Sequence, residues 1–165
     1  MKNTKSFHKY IKAIMVVAVV CICSSSCRQL DVYEKNVSVS NYQWKSSFVP
    51  GFDFEITDTA SEYNLYIVLR HTDAYHYNNI WLNITGMIDK DTLVTAPHVE
   101  MLLGSEDKGW EGTGMDDIWE VRKAINTKPV PFKKKGLYHF KVAQVMREDP
   151  LANVISVGMR VERIR

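Results

Sequence analysis

The chain has 165 residues, 45% hydrophobic and 24% charged, with 21 Lys and Arg set against 19 Asp and Glu. That length suits one domain with a real core and is short for two. The near balance of charge leaves no net basic field, so nucleic acid is excluded as a partner.

The first segment, MKNTKSFHKYIKAIMVVAVVCICSSSC, is not read as fold. It carries Lys2, Lys5, Lys9 and Lys12, an apolar run from Ile11 to Cys23, and three serines before Cys27. A charged start, an apolar stretch and a small-residue cleavage site are the layout of a secretory signal peptide. The apolar run is shorter than the roughly 20 residues that a membrane-crossing helix needs. All three cysteines, Cys21, Cys23 and Cys27, fall in this segment, which excludes a disulfide framework for the rest. Small residues directly before Cys27 are similar to the lipobox of bacterial lipoproteins, although the leucine usual three positions back is missing. Cys27 is therefore the expected lipidation site and membrane anchor; stable anchoring takes more than one acyl chain. The expected organisation is a signal peptide at 1–26, a tether at 27–35 and a folded domain at 36–165. Removing residues 1–26 takes away four basic residues and no acidic one, leaving seventeen against nineteen, a formal charge of −2.

From there the chain reads as short alternating segments between turn signals. Val37 and Val39 mark a weak first strand. Phe52, Phe54 and Ile56 alternate with acids and stop at Thr57-Asp58. Tyr63, Leu65, Ile67 and Leu69 share one face, as do Ile80, Leu82 and Ile84, which end at Thr85-Gly86. Val99 with Met101, and Trp119 with Val121, mark two more strands. Tyr138, Phe140, Val142 and Met146 form the next face. Ile155, Val157, Met159 and Val161 form the last, with Ser156, Gly158, Arg160 and Glu162 opposite. Pro129 and Pro131, which cannot donate to a ladder, suit an extended linker or an edge. No window of twelve or more residues carries a convincing 3.6-residue apolar period between caps. A period of two buries one face of each sheet, so the predicted fold is all-β: a single antiparallel β-sandwich, jelly-roll-like, of about seven or eight strands.

The residues that could carry chemistry do not assemble into a known kit. His71, His76, His98 and His139 lack the spacing of a zinc site and read as surface or loop histidines. No GxSxG elbow is present, and there is no cysteine nucleophile beyond the lipid site. The expectation is a protein without catalytic activity, cofactor or metal; hydrolase chemistry stays only as a third reading. GSEDKGWEGTGMDD, Gly104 to Asp117, packs four glycines, five acids and Trp110 into one stretch. It reads as a long hairpin whose glycines take φ > 0, with Trp110 over the end of the sandwich. A calcium loop is the sharper alternative, without the ligand order of an EF-hand. In QVMRED, Arg147 beside Glu148 and Asp149 points to a local ion pair or a turn contact. YNLYIVLRHTDAYHYNNIWLNI, Tyr63 to Ile84, looks like two strands facing each other across a polar loop. Arg70, His71, Asn78 and Asn79 are expected to hold that connection as a corner, with a contact surface as the functional alternative.

Taken in order, the Cys27 ending, YNLYIVLRH, YHYNNIWLNI, GWEGTG, GLYHFKVAQVMRED and VGMRVER resemble the gliding-motility lipoprotein GldH family of Bacteroidetes. The resemblance runs from about Tyr42 to Arg163. Its specific pieces are Leu69-Arg70-His71 with Tyr77-Asn78-Asn79, Gly109-Trp110 with Gly112 and Gly114, and Gln144 with Met146-Arg147. The family tends to show Leu-Ala-Asp where this chain has Leu102-Leu103-Gly104, which removes an acid from that place. The resemblance implies an outer-membrane lipoprotein linked to gliding and type IX secretion, a non-catalytic interaction component whose partners are other envelope proteins. It makes Arg70, His71, Tyr77, Asn78, Asn79, Trp110 and Arg147 the candidate interaction or corner residues. Arg28-Gln29-Leu30 after the lipid cysteine lacks an acidic run, which favours the periplasmic leaflet over the cell surface. From a different class, a glycan-binding sandwich would use Trp81, Trp110 and Trp119 as exposed aromatic platforms.

Overall fold

The structure is a computed structural model in which residues 32–164 are described, apart from Lys90 and the side chains of Thr92 and Leu93. The expected signal peptide and the lipidation site Cys27 lie outside the described residues. A compact unit spans residues 31–165. Eight strands of six or more residues build it: β1 (Val32–Ser38), β2 (Gly51–Ile56), β3 (Glu62–Thr72), β4 (Asn79–Ile88), β5 (Asp91–Leu102), β6 (Ile118–Ala124), β7 (Gly136–Gln144) and β8 (Val154–Ile164).

Every pairing is antiparallel, and the long strands fall into two sheets ordered β1-β8-β3-β6 and β2-β7-β4-β5. In this order only β4 and β5 are neighbours both in the chain and in a sheet. Each other connection crosses from one sheet to the opposite one, which is the winding of a jelly roll. The predicted β-sandwich of seven or eight strands is present. β3 and β4, expected to face each other across a loop, lie in opposite sheets, so the loop between them is a crossing over the end of the sandwich.

Alternation decides what each sheet buries. β2 reads Gly-Phe-Asp-Phe-Glu-Ile, and its burial alternates in step, placing Phe52, Phe54 and Ile56 inside. In the same sheet Phe54 lies beside Tyr138, and Phe140 beside Gly86. A Cβ on Gly86 would stand 2.6 Å from the Phe140 ring, so the ring fills the space that a side chain would need. In the opposite sheet Leu65, Ile67 and Leu69 of β3 align with Val161, Met159 and Val157 of β8. The two faces meet in one core that draws on both sheets. One part of it is aromatic: Phe54 is ringed by Tyr33, Phe132, Tyr138 and Phe140 at centroid distances of 5.4 to 5.9 Å.

Three details go beyond an alternating apolar pattern. A bulge between Val154 and Ser156 puts Val154, and not the expected Ile155, into the buried row beside His71. Gln144 extends the apolar face of β7 and is buried, with its amide nitrogen on the Trp44 carbonyl at 3.2 Å and its oxygen accepting from the Met146 N–H at 2.8 Å. On the outer face of the first sheet Val68 is also fully buried. Around it runs a chain of charges across four strands: Arg70 with Glu120, Glu120 with Arg122, Arg122 with Glu34, Glu34 with Arg160, and Arg160 with Glu162. The Arg160 guanidinium holds the Glu34 carboxyl below its ordinary range.

Candidate functional site

The crossing from β3 to β4 places most of the candidate residues at one end of the sandwich. His71 continues the inward row of Leu65, Ile67 and Leu69, and its exposure is 0%. This corrects the reading of His71, though not of the exposed His76 and His98, as a surface or loop group: the β3 period runs two residues further than its apolar members. The His71 ring is packed by Trp110, edge-on at 4.5 Å, and by Tyr75 at 5.4 Å. Its Nδ1 lies 2.8 Å from the Thr72 carbonyl, which can only accept, so the proton sits on Nδ1. Nε2 is buried without a hydrogen-bond partner among the described residues. Burial lowers the His71 pKa, against the opposing pull of the Thr72 carbonyl, and keeps the ring neutral.

Tyr75 lies in the polar loop and is nevertheless buried, its hydroxyl donating to the Asn79 carbonyl at 3.1 Å. Burial, reinforced by Tyr77 and Glu148, holds that hydroxyl protonated far above neutral pH. Tyr77 packs edge-on against Tyr75 at 5.8 Å and donates to Glu148 Oε2 at 2.9 Å, a bond that raises the Tyr77 pKa. The other Glu148 oxygen accepts from the Ala152 N–H at 3.2 Å. Glu148 thus clasps the loop to the turn that precedes β8.

The loop is held mostly by main chain. Thr72 N–H donates to the Asn153 carbonyl and Asp73 N–H to the Asp117 carbonyl, while the Asn153 amide donates to the Ala74 carbonyl at 2.8 Å. The carbonyl of Asn78 accepts from both Leu103 and Gly104 N–H groups. Asn79 donates from its side chain to Glu100 at 2.6 Å. Beside Asn78, a cleft of about 230 Å³ is bordered by Gly104, Ser105, Glu106, Gly109 and Trp110. Trp110 forms one wall of this cleft and also packs on His71.

His71, Tyr77, Asn78, Asn79 and Trp110 therefore gather at this end. Arg70 and Arg147 do not join them. Arg70 points to the outer face, bonded to Glu120 through Nε at 2.7 Å. Arg147 is exposed, and no ion pair to it occurs among the described residues. The local pairing expected of it is made by its neighbours: Glu148 as above, and Asp149, which accepts from Ser46 N–H at 2.8 Å and from its hydroxyl. Tyr75, Glu148 and Asn153 were not foreseen. Tyr75 lies beyond the end of β3, where strand period no longer decides facing, and the partners of Glu148 and Asn153 are distant in sequence.

Chemically the site offers rings and polar groups mostly bonded to one another, with His71 Nε2 and Thr72 Oγ1 buried without partners among the described residues. Among the described residues no three His, Cys, Asp or Glu side chains converge in a way that could hold a metal ion. Gly104 to Asp117 forms two short hairpins in place of one: Gly104–Ser105 with Gly109–Trp110, then Thr113–Met115 with β6. None of the four tryptophans is exposed; Trp44 is fully buried and Trp81, Trp110 and Trp119 are half-buried.

The profile of the family described as GldH lipoprotein matches residues 31–161. The chain is 25% identical over 158 residues to a gliding motility lipoprotein GldH homolog of Christiangramia forsetii, covering 92% of this chain and 95% of that one. It is 29% identical over 165 residues to the gliding motility lipoprotein GldH of Flavobacterium johnsoniae, covering 93% and 98%. Among solved structures, the infectious bursal disease virus VP2 subviral particle matches 81% of this chain and 32% of its own at 16% identity, with a TM-score of 0.35, too loose a likeness to argue from.

Proposed function

Because the chain belongs to the GldH lipoprotein family, we propose that it is a non-catalytic interaction component of the cell envelope. In this reading residues 1–26 are a cleaved signal, Cys27 carries the lipid, and the β-sandwich stands off the outer membrane on a short tether. The observation that carries the reading is a family match across nearly the whole folded unit, residues 31–161. The site supports it: most polar groups of the corner hold the loop, and the ring at its centre is a neutral, buried imidazole. What the corner presents outward is Tyr77 and the cleft beside Trp110 and Asn78, the kind of aromatic edge that interfaces favour. The partners are other envelope proteins of the gliding and type IX secretion machinery, met from the periplasmic leaflet.

The anchor is tested by metabolic palmitate labelling and membrane fractionation of wild type and Cys27→Ala. The variant is expected to lose the label and leave the membrane fraction; undiminished labelling would sink the assignment. For the partners, tagged protein is purified from crosslinked envelopes with and without Tyr77→Ala. Recovery of secretion-machinery proteins, reduced by the substitution, supports the corner as the contact. Recovery of envelope saccharide without any such protein would overturn the reading.

A further inference from the structure

Far along the same core, where β3, β7 and the start of β5 approach the segment 125–134, the two sheets leave a cavity of about 530 Å³. Leu65, Phe132, Tyr138 and Phe140 form its buried floor; Ile125 and Val130 form a wall. Val94, exposed at 46%, and the exposed Pro131, Lys133 and Lys134 form its rim. This is a gap in the packing of the sandwich with an open mouth, of a size common for small-ligand sites.

The polar atoms of the lining are already engaged. The Asn126 oxygen accepts from Leu65 N–H at 2.8 Å, and its amide donates to the Lys128 carbonyl at 2.7 Å. The Tyr138 hydroxyl donates to the Lys134 carbonyl at 2.7 Å. An ordered water needs two to four polar partners, and walls this largely apolar bring few together, so the cavity favours hydrocarbon over water. At the rim the balance reverses. The Lys134 ammonium has only a distant, exposed partner in Asp91 at 3.8 Å, and no ion pair to Lys133 occurs among the described residues. A dry apolar chamber closed by ammonium groups matches an amphiphile with one hydrocarbon chain and a negative head. At the ~30 Å³ that one water claims in the liquid, the volume holds roughly 18 non-hydrogen atoms, enough for one acyl chain and a small head and too few for a two-chain phospholipid.

We propose that this cavity is a binding site for a single long-chain fatty acid, its tail on the aromatic floor and its carboxylate between Lys133 and Lys134. Burial of the chain supplies the affinity, and the lysines fix its direction and exclude neutral lipids.

The test uses the full chain in isolated membranes with added photoactivatable palmitic acid, followed by mapping of the labelled peptides. Label is expected on the peptides carrying Ile125 to Phe132 and Tyr138 to Phe140. Ile125→Trp, which fills the wall, should lower it about tenfold by removing the space for the chain. Val94→Trp, on the exposed rim, blocks the mouth without touching the floor and should do the same even if the first variant packs poorly. Unlabelled palmitate should compete, and methyl palmitate should compete several-fold less well; Lys133→Glu with Lys134→Glu should abolish that difference. Labelling spread evenly over the chain, or unchanged in both tryptophan variants, would overturn the site. Equal competition by the methyl ester would overturn the anionic head, and stronger competition by a lysophospholipid would overturn the fatty acid in favour of a phosphate head.

Discussion

At the scale of single residues His71 shows how far side-chain period alone can be read. The row Tyr63, Leu65, Ile67, Leu69 continues by two to His71, and the structure buries it with the rest. Residue type argued for the surface while position argued for the core, and position won because the ring could satisfy one nitrogen on the Thr72 carbonyl. A pH dependence follows. An unfolded histidine titrates near pH 6.5, and burial sets the folded value of His71 lower. Between the two values the unfolded chain binds more protons than the folded one, so stability rises with pH there. The contribution is complete above about pH 6.5 and is lost as pH falls toward the folded value. Replacement by Phe keeps a ring against Trp110 and Tyr75 but cannot titrate. In thermal unfolding between pH 8 and pH 5, wild type is expected to lose Tm more steeply than His71→Phe. Parallel curves would show that His71 is not buried neutral.

At the scale of elements the glycine-rich stretch 104–117 was legible in kind but not in detail. The expected φ > 0 holds for Gly109 and Gly112, at +71° and +88°, while Gly104 and Gly114 serve another purpose. A Cβ on Gly104 would stand 2.7 Å from the Gly109 carbonyl oxygen and 3.1 Å from the Trp110 ring, and one on Gly114 2.9 Å from the Trp119 ring. Half of these glycines therefore make room for the neighbouring segment's backbone or indole, a pairing that depends on which segments become neighbours and so leaves no local signal. The two positive-φ glycines separate strain from space. At Gly109 nothing lies within 4 Å of the added Cβ, so Gly109→Ala should cost only the left-handed strain, about 1 kcal/mol. At Gly112 the same atom would stand 2.0 Å from the Glu120 carbonyl oxygen in the backbone of β6. Gly112→Ala should cost about 3 kcal/mol, as strain and overpacking add. Denaturant titration of both variants measures the difference; equal costs would mean that this loop does not pack on β6.

At the scale of the molecule, alternation predicts which residues of a strand face inward but is silent on which strand lies beside it. That is why Phe52 to Val161 reads as a β-sandwich, while Tyr63 to Ile84 gives two core strands without saying that they belong to opposite sheets. The same blindness hid Glu148, whose partners Tyr77 and His76 come from another crossing. The winding has an energetic consequence. Since nearly every connection changes sheet, neither sheet can be assembled without the other, and both draw on one apolar core. Leu69 of β3 and Leu82 of β4 sit in opposite sheets, and both are fully buried. Truncation of either to Ala should cost about 2–5 kcal/mol through lost burial and the cavity left behind. Two sheets that unfolded separately would each respond to one substitution, giving a transition that splits. A shared core demands that either substitution move the whole transition, detected alike by tyrosine and tryptophan fluorescence and by far-ultraviolet circular dichroism. Coincident curves are expected for Leu69→Ala and Leu82→Ala. A second, unshifted transition in either variant would show that the sandwich is two independently stable layers, which its strand order does not allow.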